Sequence, residues 1–213
     1  MLAFSQPVFD MQRVFRVVLD AMSRPARLCR LPVFPQSVPD GLSPVLADLA
    51  LTLCDGESPL WLSPGLRKDE TTTWLRFHCG CPIVEEADKA AFALVADASE
   101  LPPLSAFAQG VPAYPDRSAT VLLAGLAFDA GTRFRGSGPG ICGKVPSPAR
   151  CPKILRSGGA RIRRASRSAW TCCCAAPTAW PVCRAPRALN VCLRRVRHVC
   201  SGQRWGKGHF RRP

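Results

Sequence analysis

The sequence predicts an α/β fold, a mixed β-sheet flanked by helices, with α+β as the neighbouring reading of the same pattern. Three observations lead there. Apolar residues recur with a helical period from Met11 to Met22, apolar runs of strand length occupy 59–63, 91–96 and 119–124, and the two kinds of segment interleave along residues 1–141.

In chain order, Met11, Val14, Phe15, Val18, Leu19 and Met22 form one apolar stripe of a helix that Pro25 stops. Residues 31–44 hold four prolines and read as an extended loop. Ser43 as cap and Pro44 in the first turn begin a second helix, with Leu46, Leu49, Ala50 and Leu53 on one face. Asp55-Gly56 is a turn, and Pro59–Ser63 a short buried strand. Past a charged turn at Arg67–Glu70, Thr71–Phe77 fits helix or strand by period, and we read it as helix. Strands follow at Ala91–Ala96 and Ala119–Ala124, the second preceded by the turn-rich GVPAYPDRS at 110–118. Asp129-Ala-Gly131 reads as a hairpin turn into Thr132–Arg135. From residue 142 onward no window sustains a period of 3.6 or 2. Residues 1–141 are therefore expected to form an incomplete domain, and the C-terminal third, 142–213, a disordered basic tail.

Charge divides the chain at the same place. All 15 acidic residues lie between Asp10 and Asp129, beside 10 of the 29 Lys and Arg; from Ala130 on there are 19 basic residues and no acid. The formal charge of +14 thus belongs to the tail, which also holds eight of the 12 cysteines. The N-terminus lacks a basic segment followed by an apolar run, and no run of 18 apolar residues exists, so a cytoplasmic protein with reduced thiols is expected.

The cysteines invite a zinc reading, but Cys172, Cys173 and Cys174 are contiguous, and adjacent residues do not aim three sulfurs at one tetrahedral centre. Cys192, His198, Cys200 and His209 fit no standard knuckle spacing. No metal site and no cofactor is expected. An Arg-rich arm that binds phosphates is the alternative function, although solvated basic arms use Lys, Ser and Gly more freely. In the first part, Trp74–Pro82 is the densest polar and aromatic cluster. Its plain reading puts Trp74 and Phe77 in the core with Arg76 and His78 solvated or ion-paired; its sharper reading is an anion or partner site. No Ser-His-Asp, paired-carboxylate or Walker pattern is present, so no catalytic residue is assigned. Ser137-Gly-Pro-Gly140 reads as a tight turn.

The segments FRVVLDAMSRPA (Phe15–Ala26), LTLCDGESPLWLS (Leu51–Ser63), LRFHCGCPIV (Leu75–Val84), AFALVAD (Ala91–Asp97), GVPAYPDRSATVLL (Gly110–Leu123) and GPGI (Gly138–Ile141) together resemble the PhnH family of the bacterial carbon-phosphorus lyase system. Ala26 stands where that family usually has glycine. The resemblance implies a fold similar to pyridoxal-phosphate-dependent transferases without the cofactor lysine, a homodimer, and partners of the PhnG, PhnI and PhnJ types in a core complex. It implies an accessory or structural subunit, supporting formation of α-D-ribose 1-methylphosphonate 5-triphosphate from ATP and an alkylphosphonate, with neither membrane nor nucleic acid as partner. Asp55, Arg76 and His78, polar members of otherwise apolar segments, are expected to lie close together near the sheet edge or a subunit interface and to serve partner or anion recognition.

The family should continue past GPGI into a helix, then F-P-x-G-V-D-L-L-L and later L-P-R-T-T, and neither appears. Trp has the single codon TGG and Cys only TGT or TGC, so Ala169–Cys174 fixes most of its DNA. Read from the third base of the Ala169 codon, the triplets are NTG, GAC, NTG, YTG and YTG, which admit V-D-L-L-L with the aspartate and two leucines forced. In the same frame Ala165–Ala169 permits F-P-L-G, and Val182–Ala188 permits L-P-R-T-T-R. The sequence therefore predicts that the tail is the family's C-terminal region translated out of frame, with the slip between Ile141 and Ala165.

Overall fold

Helix α1 (Pro7–Ser23) opens with proline at its first position, and Gln6 and Asp10 close its first turn reciprocally: the Gln6 N–H donates to the Asp10 carboxylate at 3.1 Å and the Asp10 N–H to the Gln6 carbonyl at 2.9 Å. The inward face carries Asp10, Val14, Val18 and Ala21. This corrects the expected stripe, because Phe15 and Leu19 lie about half exposed on the flank. The computed structural model describes residues 6–23, 28–32, 37–111, 113–124, 132–138, 141–151, 170–176 and 188–194.

Helix α2 (Pro44–Leu53) starts at Ser43-Pro44 as expected, and every residue from Val45 to Leu51 is buried, as suits a helix enclosed on all sides. Helix α3 (Asp69–Cys79) confirms the helical reading of Thr71–Phe77. It ends at Gly80, whose positive φ of 67° and N–H bond to the Arg76 carbonyl at 3.0 Å form a left-handed cap that only glycine adopts without strain. Asp69 and Glu70 lie in its first turn and Arg76 in its last, each matching the sign of the helix dipole.

The strands are β1 (Leu28–Arg30), β2 (Leu60–Leu62), β3 (Ile83–Val84), β4 (Phe92–Val95), β5 (Gln109–Val111), β6 (Tyr114–Ser118), β7 (Thr120–Leu123), β8 (Thr132–Gly138), β9 (Ile141–Cys151), β10 (Trp170–Ala176) and β11 (Ala188–Arg194). Seven of them make one sheet in the order β1-β11-β10-β7-β4-β2-β3. The pairs β10–β7, β7–β4, β4–β2 and β2–β3 are parallel, and β11 runs antiparallel to both β10 and β1. The mixed α/β sheet expected from sequence is thus present.

Side-chain alternation divides the core into two layers. Leu60, Leu62, Leu94 and Leu122 meet α1, α2 and α3 through Val14, Val18, Leu46, Leu49 and Leu75. Trp61, Ala93, Val95, Val121 and Leu123 face the other way onto Leu101, Leu104 and Phe107, with the Trp61 and Phe107 rings edge to face at 5.4 Å. Burial on both faces is why β2, β4 and β7 read as continuous apolar runs.

Two regions differ from expectation. Residues 110–118 are expected to be turns, but most of them form the β5–β6 hairpin, with Gly110 at φ 64° and a register irregularity between Gln109 and Val111. Beyond Ile141, β9, β10 and β11 run as strands although no strand period is visible there. The reason for β10 is its place: WTCCCAA, apolar at every position but Thr171, lies between two strands of the sheet, where alternation is not required. Gly138 pairs with Ile141, and Pro139 and Gly140 of the expected turn lie outside the described residues. The Asp129–Gly131 turn lies outside the described residues.

Candidate functional site

The connections after the parallel strands locate the first place to look. The chain leaves β2 toward β3 on one side, then leaves β4 toward β7 on the other, so the sheet's topological switch lies between the C-terminal ends of β2 and β4. Open α/β sheets bind ligands in that crevice. Here the chain fills it itself. The fully buried Ser63 donates its hydroxyl to the Glu100 carboxylate and accepts the Ala96 N–H at 3.2 Å, while the Gly65 N–H donates to the same carboxylate oxygen at 3.1 Å. The donors that would hold an anion are already engaged. Sequence reading missed this pair, since Ser63 and Glu100 are 37 residues apart and carry no local signal.

The second place is the outer side of α3. Thr71 and Leu75, one turn apart, point inward and are fully buried, which fixes the helix phase and turns Phe77 outward to 80% exposure. The expectation of Phe77 as a core residue is thereby corrected; Trp74 packs partly against the core. His78 packs against Trp74 with the rings tilted at 45° and their centroids 4.4 Å apart, and meets Phe77 edge to face at 4.9 Å. These three rings, with Asp69, Glu70 and Thr73, line an open groove of about 510 Å³. Burial holds the His78 imidazole below its usual pKa, so the ring is neutral near pH 7. The groove therefore combines aromatic faces with two carboxylates and lacks a formal positive charge.

The third is a set of thiols where α2 and α3 end. Burial pushes the Cys54 thiol up to about 12, with the charges of Cys81 and Asp55 adding to it. A hydrogen bond from Cys79 favours the Cys81 thiolate, helped by the Arg76 guanidinium and opposed by Asp55. Asp55 itself sits in a tight turn, accepting the Ser58 hydroxyl at 2.7 Å and the Glu57 N–H at 3.0 Å, which holds its carboxyl below the usual range. Among the described residues no group of three or more His, Cys, Asp or Glu is arranged to hold a metal ion.

The three residues singled out from sequence therefore fall in two neighbouring places. Asp55 and the exposed Arg76 flank Cys81 electrostatically, whereas His78, about 200° further round α3, belongs to the aromatic groove. Among the described residues no helix is long and apolar enough to cross a membrane.

Fold and site together define an α/β protein whose sheet crevice is closed by its own side chains and which presents, among the described residues, an open aromatic and acidic helix face. Its relatives place it more narrowly. The family model described as bacterial phosphonate metabolism protein (PhnH) matches residues 2–156. The chain is also 37% identical over 154 residues to the alpha-D-ribose 1-methylphosphonate 5-triphosphate synthase subunit PhnH of Rhizobium meliloti (strain 1021), covering 72% of this chain and 76% of that protein. The chain belongs to the PhnH family of phosphonate metabolism proteins.

Proposed function

We propose that this chain is the PhnH subunit of a complex that makes α-D-ribose 1-methylphosphonate 5-triphosphate from ATP and an alkylphosphonate during phosphonate catabolism. The observation that carries the reading is the 37% identity across 72% of the chain to a subunit named for that synthase. The closed β2–β4 crevice supports a subunit that contributes surface and architecture, with the reacting groups supplied elsewhere. Its partners are subunits of the PhnG, PhnI and PhnJ types, it pairs with a second copy of itself, and it works in the cytoplasm. Asp55, Arg76 and His78 take part in partner recognition. Co-expression with those three subunits from the same source tests this: stable co-purification is expected, and its absence from both the chain as it stands and a chain with the tail frame restored would overturn it.

The tail belongs to the same proposal. Past a slip between Ile141 and Ala165, the tail is the family's C-terminal region read out of frame, which leaves the subunit impaired. Support comes from the match to the family, which stops at residue 156, and from the shifted frame, which permits F-P-L-G-V-D-L-L-L and L-P-R-T-T-R in order beyond it. Resequencing the DNA for residues 141–165 tests it. A one-base disruption of an intact frame is expected; uninterrupted DNA in the present frame would mean that the tail is genuine. Family membership favours this reading over that of a nucleic-acid-binding protein acting through the tail.

A further inference from the structure

The groove on α3 is a feature that neither the fold nor the core explains. Phe77 presents 80% of its surface to water on a helix whose Leu75 is fully buried, and it joins Trp74 and His78 in one continuous aromatic surface. Large exposed apolar groups gathered beside a concavity mark contact surfaces. The rim says what kind of contact. Asp69 and Glu70 supply two negative charges, Thr73 is neutral, and the lining holds no Lys or Arg. A guanidinium or ammonium group fits such a setting twice over, stacking on the ring faces and pairing with the carboxylates.

Resting on the reading of this chain as a subunit of the phosphonate complex, we propose that the outer face of α3, from Asp69 to His78, docks a segment of another subunit that presents an arginine or lysine beside an apolar side chain. The charge pattern argues against two other occupants. A second copy related by a two-fold axis through the groove would set Asp69 and Glu70 against themselves, and like charges across an interface repel. Nucleic acid would bring phosphates to the same carboxylates. The apolar body of the partner segment covers Phe77, which then acts as the anchor, and the carboxylates fix the register of the basic side chain.

The test uses the full chain co-expressed with PhnG-, PhnI- and PhnJ-type subunits from the same source, with capture measured over a salt series. Two surface variants are compared with the parent chain, Phe77→Ala and the double change Asp69→Lys with Glu70→Lys. Circular dichroism confirms that each is folded, since all three residues are exposed. Capture by the parent should weaken as salt rises. Phe77→Ala should lower it about 30-fold while keeping the salt dependence. The charge reversal should lower it to a similar extent and invert the salt dependence, because salt then screens a repulsion. If the parent captures its partners and both variants do so equally well, the docking proposal fails while the subunit reading stands. If neither the parent nor the parent with its tail frame restored captures its partners, the subunit reading falls and takes this proposal with it. If sedimentation of the chain alone shows the variants changing self-association while capture is unchanged, the face is a contact between copies and the proposal is overturned.

Discussion

Replacing Ser63 with alanine should cost this protein about 3 kcal/mol of stability. The side chain is fully buried at the end of β2, and its hydroxyl makes two bonds that bridge the crevice to the segment after β4. The first is a donation to the Glu100 carboxylate, and bonds to charged groups contribute about 1.5–3 kcal/mol. The second is acceptance of the Ala96 N–H at 3.2 Å, and a buried donor left without a partner costs about 1–3 kcal/mol. Glu100 is only partly buried and keeps the Gly65 N–H at 3.1 Å, so it recovers hydration on one side and the total falls in the lower half of the summed range. Urea denaturation should show a lower midpoint at unchanged slope, and the melting temperature should fall by about 6–12 °C for a chain of this size. A double-mutant cycle with Glu100→Ala should return a coupling of about 1.5–3 kcal/mol. A Ser63→Ala variant within about 0.5 kcal/mol of the parent, or strict additivity in the cycle, would refute the account of the crevice as closed by this pair.

Three further outcomes follow from the same physics. The Thr71 hydroxyl is buried with no hydrogen-bond partner among the described residues, so Thr71→Val should raise stability by about 1 kcal/mol in urea melts; a loss of that size would show that the hydroxyl is engaged. Cys54 should resist iodoacetamide at pH 8 in the folded protein while the half-buried Cys29 reacts, as read by peptide mass mapping. Because its folded value of about 12 lies above the ordinary 9.0, the stability it contributes is complete below pH 9 and is lost as pH rises toward 12. Asp97 accepts the Ser99 hydroxyl at 2.6 Å and N–H at 2.8 Å, which lowers its carboxyl; its contribution is complete above the ordinary 3.8 and is lost as pH falls through the folded value, so Asp97→Asn should flatten the acid limb of a stability profile.

What could be read in advance was what local chemistry dictates. Ser43-Pro44 announces α2, and the apolar runs bounded by turn residues announce β2, β4 and β7, because their burial on both faces leaves a mark in every residue. What escaped was set at a distance. The phase of α3 is fixed by Thr71 and Leu75 docking on the core, and that contact alone decides that the aromatic Phe77 faces out. The β5–β6 hairpin is hidden by Pro112 and Pro115, which suggest turns, although a separate two-stranded ribbon tolerates residues that an interior strand would reject. β1 pairs with β11, about 160 residues later, and nothing in Leu28–Arg30 hints at it. The candidate groove shared this fate. Trp74, Phe77 and His78 belong to the cluster Trp74–Pro82 visible in the sequence, but Asp69, Glu70 and Thr73 lie outside it, and the aromatic surface depends on the helix phase.

The sheet position of β10 bears on the proposed frame shift in a way that yields a last prediction. Cys172, Cys173 and Cys174 pair in register with Val121, Leu122 and Leu123 of β7, at the centre of the sheet. In the present frame these codons read TGY; displaced by one base they read NTG or YTG. Thymine thus stands first in one frame and second in the other, and both frames encode apolar side chains. An apolar strand beside β7 is therefore expected from either reading, and strand pairing alone does not separate them. Size does. Leucine carries more hydrocarbon than cysteine, and each buried methylene contributes about 0.8 kcal/mol, so leucines at sites with room for them stabilise the sheet by several kcal/mol in sum. The shifted frame also forces an aspartate, where the present frame has no acid from Ala130 onward. A chain restored to that frame after residue 156 should melt at least 10 °C higher than the present one, at about 2–4 °C per kcal/mol for a domain of this length, and should resist proteolysis past Ile141. Equal melting temperatures and identical proteolytic fragments would mean that the present tail already completes the sheet, and the frame-shift reading would lose its structural consequence.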